Sequence, residues 1–202
     1  MTANGGAAAH RVAIIGLGNG YRRDDGVGVA AADALRDLAW PNVVVRTGIA
    51  EPMGLVEAWT GAGLAVVIDA ALADPAYPGR IHRYDVNGVP TQPRGLSSHH
   101  IDIGRTRALA RELERVPDAI VVFAVEAADT GQGAGLTPRV ARAVPVLVGM
   151  VATEINRFRR QRDRSTEILG DFGSDGDEGR PAPAPRRAAP AASPGRRFGS
   201  GR

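Results

Sequence analysis

Three short segments, remote from one another in the chain, hold the residues suited to chemistry. The first is Gly16-Leu17-Gly18-Asn19, followed by Asp24-Asp25-Gly26-Val27-Gly28. The second is Asp69, which ends the run LAVVID from Leu64. The third is Ser97-Ser98-His99-His100, in a chain whose four His stand at positions 10, 82, 99 and 100. Two carboxylates and an imidazole make a workable divalent-metal set with open positions, and oxygen and nitrogen donors suit nickel or zinc. Each segment also has a plain structural reading. Asp24 would serve as a helix N-cap, Asp69 as a loop-closing acid, and Ser97 and Ser98 as caps of a following helix.

The glycines let the chain turn sharply off a strand, but they do not make a dinucleotide site. After Gly16 and Gly18 the third position of the GxGxxG spacing is Tyr21. Two carboxylates at the spot where a helix N-terminus would receive phosphate repel it further. A cation, or carboxylate chemistry, is what these residues favour. There is no HExxH helix and no GxSxG elbow. The absence of Cys excludes disulfides, thiolate metal sites and a Cys nucleophile.

The elements that must position these residues follow from hydrophobic patterning. Apolar runs predict strands at Arg11–Leu17, Asn42–Thr47, Leu64–Asp69 and Ala119–Val125, with a mixed-polarity edge strand over Gly79–Val86. Helices are predicted over Asp24–Leu38, Pro52–Thr60, Ile101–Arg115 and Thr137–Arg160, the last interrupted near Pro145. Continuous apolar strands alternating with helices imply an α/β fold: three layers, with a twisted, mostly parallel sheet flanked by helices. Ligands of such sheets bind beyond the C-terminal ends of the strands, and alternating topology brings Asp25, Asp69 and the His pair to that edge.

The chain has 202 residues, 44% hydrophobic and 23% charged, enough for one α/β domain with a core of its own. Its formal charge of +3 is unevenly spread. All 25 basic residues are Arg; up to Ile155, 14 of them stand against 16 acids, and from Asn156 onward 11 stand against 6. The body therefore offers no electrostatic reason to bind nucleic acid. Three regions are expected: a flexible N-terminus over 1–10, the domain over 11–160, and an Arg/Pro/Gly/Ala-rich disordered tail over 161–202. No stretch approaches the roughly 20 apolar residues of a membrane span, and the expected location is the cytoplasm.

Taken in order, GLGN then DDGVG at 16–28, VVIDA at 66–70, SSHH at 97–100 and IVVFAVEA at 120–127 resemble the hydrogenase maturation proteases. The resemblance covers about Arg11 to Arg160. It implies a metal-dependent, aspartic-type endopeptidase with a phosphorylase/hydrolase-like fold. Its metal-binding and catalytic triad would fall on Asp25, Asp69 and His99, with His100 the neighbouring alternative. It implies a substrate as well, the precursor of a nickel-iron hydrogenase large subunit. Nickel already loaded in that precursor would be the recognition element, although zinc or another divalent ion suits the same donors, and no organic cofactor is implied. No nucleic-acid or membrane partner is expected, and the chain is expected to be a monomer. Where many relatives carry an Asp-Gly-Gly-Thr-like turn after the second strand, this chain reads Thr47-Gly48-Ile49-Ala50-Glu51-Pro52. Two rival readings are a peptidyl-tRNA hydrolase, which shares the opening strand and GLGN, and a ligand-sensing or adaptor module without activity. The first expects a His and an Asn where Arg22, Arg23, Asp24 and Asp25 stand here.

Overall fold

The computed structural model describes residues 11–86 and 102–171, with 166–171 described through their backbone alone. The N-terminal segment 1–10, the connection 87–101 with the SSHH segment, and the tail from 172 lie outside the described residues.

Five strands among the described residues form one sheet: β1 (Val12–Gly16), β2 (Val43–Thr47), β3 (Leu64–Ala71), β4 (Ile81–Asp85) and β5 (Ala119–Glu126). Their order is β2-β1-β3-β5-β4. All neighbours are parallel except β4, which runs antiparallel to β5 at the edge. The mixed polarity of β4 reflects that edge position, and Arg83 ties it to Glu154 through two hydrogen bonds of 2.9 and 2.8 Å. Strand β3 is buried along its full length, which is why it reads as one apolar run. It extends to Ala71, two residues beyond the predicted end, so Asp69 lies inside the strand and not at its terminus.

Among the described residues, four α-helices cover the two faces: α1 (Val27–Arg36), α2 (Pro52–Trp59), α3 (Ile103–Glu112) and α4 (Pro138–Asp171). Alternation along the strands divides the core in two. Val12, Ile14, Val66, Ile68, Val121 and Phe123 pack with α1 and with the α4 stripe Val140, Leu147, Val151 and Ile155. Ala13, Ile15, Ala65, Val67, Ile120 and Val122 face Leu55, Val56 and Trp59 of α2 and Ile103 and Ala110 of α3.

Helix ends differ from the sequence expectation for local reasons. The Asp-Asp pair does not open an α-helix; it lies on a 3-10 turn, Arg23–Gly26, and α1 begins after it. Helix α3 is capped by Asp102, whose side chain accepts from Arg105 N at 3.0 Å. The capping role considered for Ser97 and Ser98 lies outside the described residues. Helix α4 passes through Pro145 without interruption and continues to Asp171. Pro145 is exposed, away from the buried stripe. A first compact unit ends at Ser165; the second begins at Thr166.

Candidate active site

The sheet order reverses between β1 and β3. From β1 the chain goes outward to β2, then crosses back to β3 on the other side. In folds of this class ligands bind at such a switch point, beyond the C-terminal ends of the two strands. The loop after β1 and the end of β3 border it, and they carry Asp25 and Asp69.

Glycines set the position of Asp25. Gly18 has φ +116°, a conformation that disfavours any side chain, and a Cβ there would fall 1.9 Å from the Asp25 carbonyl oxygen. Gly28, in the first turn of α1, allows the helix to rest on the strand ends; a Cβ would fall 2.3 Å from Leu17 O and 2.4 Å from Ile68 O. The 3-10 turn is thereby pressed against β3. Asp25 is 2% exposed, and its Oδ2 accepts from Asn19 N at 3.0 Å. Asp69 is equally buried, and its Oδ1 accepts from Ala70 N at 2.8 Å. Strand alternation puts Asp69 on the face of Ala65 and Val67, toward α2 and α3.

Asp24 has a different task. Fully buried, its carboxylate accepts from Ala128 N (2.9 Å), Asp129 N (3.1 Å), Thr137 N (2.6 Å) and Thr137 Oγ1 (2.9 Å). It forms no capping bond to either the 3-10 turn or α1. The N-cap expectation is therefore wrong: Asp24 fastens the β5–α4 loop, 104 to 113 residues away. The same loop holds Arg22 and Arg23. Arg23 N donates to Gly133 O at 2.8 Å, Arg22 Nε to Thr130 O at 3.2 Å, and the Arg23 guanidinium lies 3.1 Å from Asp129. The exposed segment Asn19–Arg23 is fixed beside Asp25 by these bonds.

His99, the third predicted ligand, and its neighbour His100 lie outside the described residues. The described chain resumes at Asp102, three residues after His99. Helix α3 runs about 15 Å before the chain reaches Ala119 at the N-terminal edge of the sheet, opposite Leu64. Its first turn therefore faces the C-terminal edge. Among the described residues, no group of three or more His, Asp or Glu has metal-holding geometry.

A second polar cluster on this part of the sheet was not singled out from the sequence. Glu126, 2% exposed at the end of β5, accepts from Tyr77 N at 2.5 Å and pairs with His82 Nε2 at 2.7 Å. Burial pushes its carboxyl upward, but the bonds from His82 and Tyr77, with the charges of His82 and Arg80, hold it below its ordinary value. Tyr84, stacked beside His82, is pushed up by burial and by the Glu126 charge. The available signal was the one used for Asp69, an acid closing an apolar strand.

The fold and site define a three-layer α/β protein with buried carboxylates at its topological switch point. The chain belongs to the hydrogenase maturation protease family: the HycI hydrogenase maturation protease model matches residues 30–154, more than half of its length. That span includes Asp69 and His99 and begins just after Asp25. Solved structures share the fold. The hydrogenase maturating endopeptidase HybD from E. coli is 20% identical with a TM-score of 0.63, over 73% of this chain and 93% of that one. The [NiFe] hydrogenase maturation protease HybD from Thermococcus kodakarensis is 24% identical with a TM-score of 0.55, over 72% and 99%. HycI from the same organism is 22% identical with a TM-score of 0.56, over 72% and 92%. No curated protein matches the sequence.

Among the described residues no helix is long and apolar enough to cross a membrane.

Proposed function

We propose that this chain is an endopeptidase that removes the C-terminal extension of a nickel-loaded hydrogenase large-subunit precursor, and that Asp25, Asp69 and His99 are the residues that meet the metal. The observation that carries this reading is the placement of two buried carboxylates from remote segments, Asp25 after β1 and Asp69 in the C-terminal part of β3, at the switch point of the sheet, where the fold class binds ligands.

Nickel belongs to the substrate. The donor set fits that role: two carboxylates and an imidazole satisfy part of a coordination shell and leave positions for ligands brought by the precursor. Binding to the ion would align the adjoining polypeptide with the cutting groups, so that the metal state of the precursor decides whether the scissile bond is positioned. Fixed carboxylates within reach of a water would supply the base for its attack. The partner is the precursor itself, and the expected place of action is the cytoplasm.

Retention on immobilised protein tests the metal reading. Nickel-loaded precursor is expected to be retained and nickel-free precursor to pass through, with retention lost in Asp69→Asn. Equal retention of both precursor forms contradicts it.

A further inference from the structure

Resting on the endopeptidase reading, we propose that His82, oriented by Glu126, is the proton-transferring group for cleavage of the scissile peptide bond. The argument begins with register. Asp69 on β3 and His82 on β4 are both paired with Ala124 on β5. Side chains paired in this way point to the same face, so Asp69 and His82 stand in one row with only a methyl group between them. Their Cα atoms are then roughly 10 Å apart, two strand spacings, a span that a polypeptide segment bound at Asp69 crosses within a few residues.

The imidazole is prepared for this work. Its Nε2 is 2.7 Å from Glu126 Oε1, and Glu126 is itself fixed by Tyr77 N. Glu126 is ionised at neutral pH, because its carboxyl is held below the ordinary value. An ionised carboxylate accepts only, so Nε2 carries the hydrogen and Nδ1 presents the lone pair. A buried acid orienting an imidazole and stabilising its cation is the arrangement general acid–base catalysis uses. The His82 side chain is 28% exposed, whereas that of Glu126 is 3% exposed, so the dyad opens to solvent at the imidazole.

The step balances without a further reactant. Water adds to the scissile carbonyl carbon, and Nδ1 of His82 takes the proton that the water loses. The carbon–nitrogen bond then breaks, and the leaving nitrogen receives that proton from the imidazolium. One water is consumed, one carboxyl and one amine are formed, and His82 returns neutral. The charged and titratable groups around it are Glu126 of β5, Tyr84 of β4, Tyr77 and Arg80 before β4, and Asp69 beyond Ala124.

The experiment is processing of the nickel-loaded precursor by the full chain, followed by mass spectrometry across pH, with folding checked by urea denaturation. His82→Gln is expected to lower kcat about 100-fold with KM within a few-fold, and to remove the acid limb of the pH profile. Glu126→Gln can donate where the carboxylate only accepts, so the imidazole loses its fixed tautomer, and kcat is expected to fall about tenfold with KM within a few-fold. Should His82→Gln not fold, the split between kcat and KM in Glu126→Gln decides alone. Turnover within threefold of wild type in the folded variant, or a His82→Gln loss of kcat that keeps the wild-type acid limb, overturns the assignment. If the wild-type chain itself leaves the precursor uncut, the endopeptidase reading falls first and this assignment with it.

Discussion

Asp24 and Asp25 are adjacent, both acidic and both buried, yet Asp24 fastens a distant loop and Asp25 is the acid proposed to meet the metal. Replacing Asp24 with Ala would leave the donors at Ala128, Asp129 and Thr137 without their acceptor in a buried setting. Each bond to a charged group contributes about 1.5–3 kcal/mol, and losses within one network do not add in full. A net destabilisation of about 4 kcal/mol follows for Asp24→Ala, and about 2 kcal/mol for Asp24→Asn, whose amide oxygen still accepts. For a chain of this size, 4 kcal/mol lowers Tm by roughly 10 °C. Asp25→Asn keeps an acceptor for Asn19 N, so it is expected to lose less stability than Asp24→Ala, while processing stops. The assay pairs urea midpoints with mass spectrometry of the processed precursor. An Asp24→Asn chain as stable as wild type, beside an Asp25→Asn chain that unfolds readily but still cuts, would refute the division of labour.

Three further outcomes follow from the same geometry. Gly18→Ala drives a Cβ into the Asp25 carbonyl and requires a left-handed backbone from Ala; a loss of about 3 kcal/mol is expected, together with a falling processing rate in the fraction still folded. Trp59 is fully buried between α2 and the sheet, and Trp59→Ala should cost about 4 kcal/mol in urea denaturation without altering pH dependence. The depressed Glu126 carboxyl contributes stability that is present above its unfolded value, about pH 4.3, and is lost as pH falls through the lower folded value. Glu126→Gln should therefore flatten the acid side of the stability–pH curve and leave its alkaline side unchanged.

The α/β architecture was legible because its strands are buried on both faces. VAIIG, LAVVIDAA and AIVVFAVE carry little but apolar residues, and no helical periodicity competes with them. The site was legible in part. Asp25 and Asp69 each follow or close an apolar strand, and the switch-point rule assigns both to one edge. What escaped was whatever depended on partners distant in the chain. Nothing near Asp24 announces that its acceptors serve residues 128–137, so a local N-cap was the natural reading. The His82–Glu126 pair spans 44 positions and becomes visible only when β4 lies beside β5. Helix α4 runs past its predicted end at Arg160 because its buried stripe, the sequence signal, stops at Phe158, while the backbone continues helical through an Arg-rich segment.

The most direct measurement is the initial rate at which folded Asp69→Asn shortens a nickel-loaded large-subunit precursor, followed as the mass of the released C-terminal peptide. Asp69 is buried on the face of β3 that turns toward α2 and α3, and Asn keeps an oxygen that can accept from Ala70 N, so a folded protein releasing no peptide is the expected result. Release at the wild-type rate would contradict the claim that the acids at the switch point are the cutting and metal-reading groups.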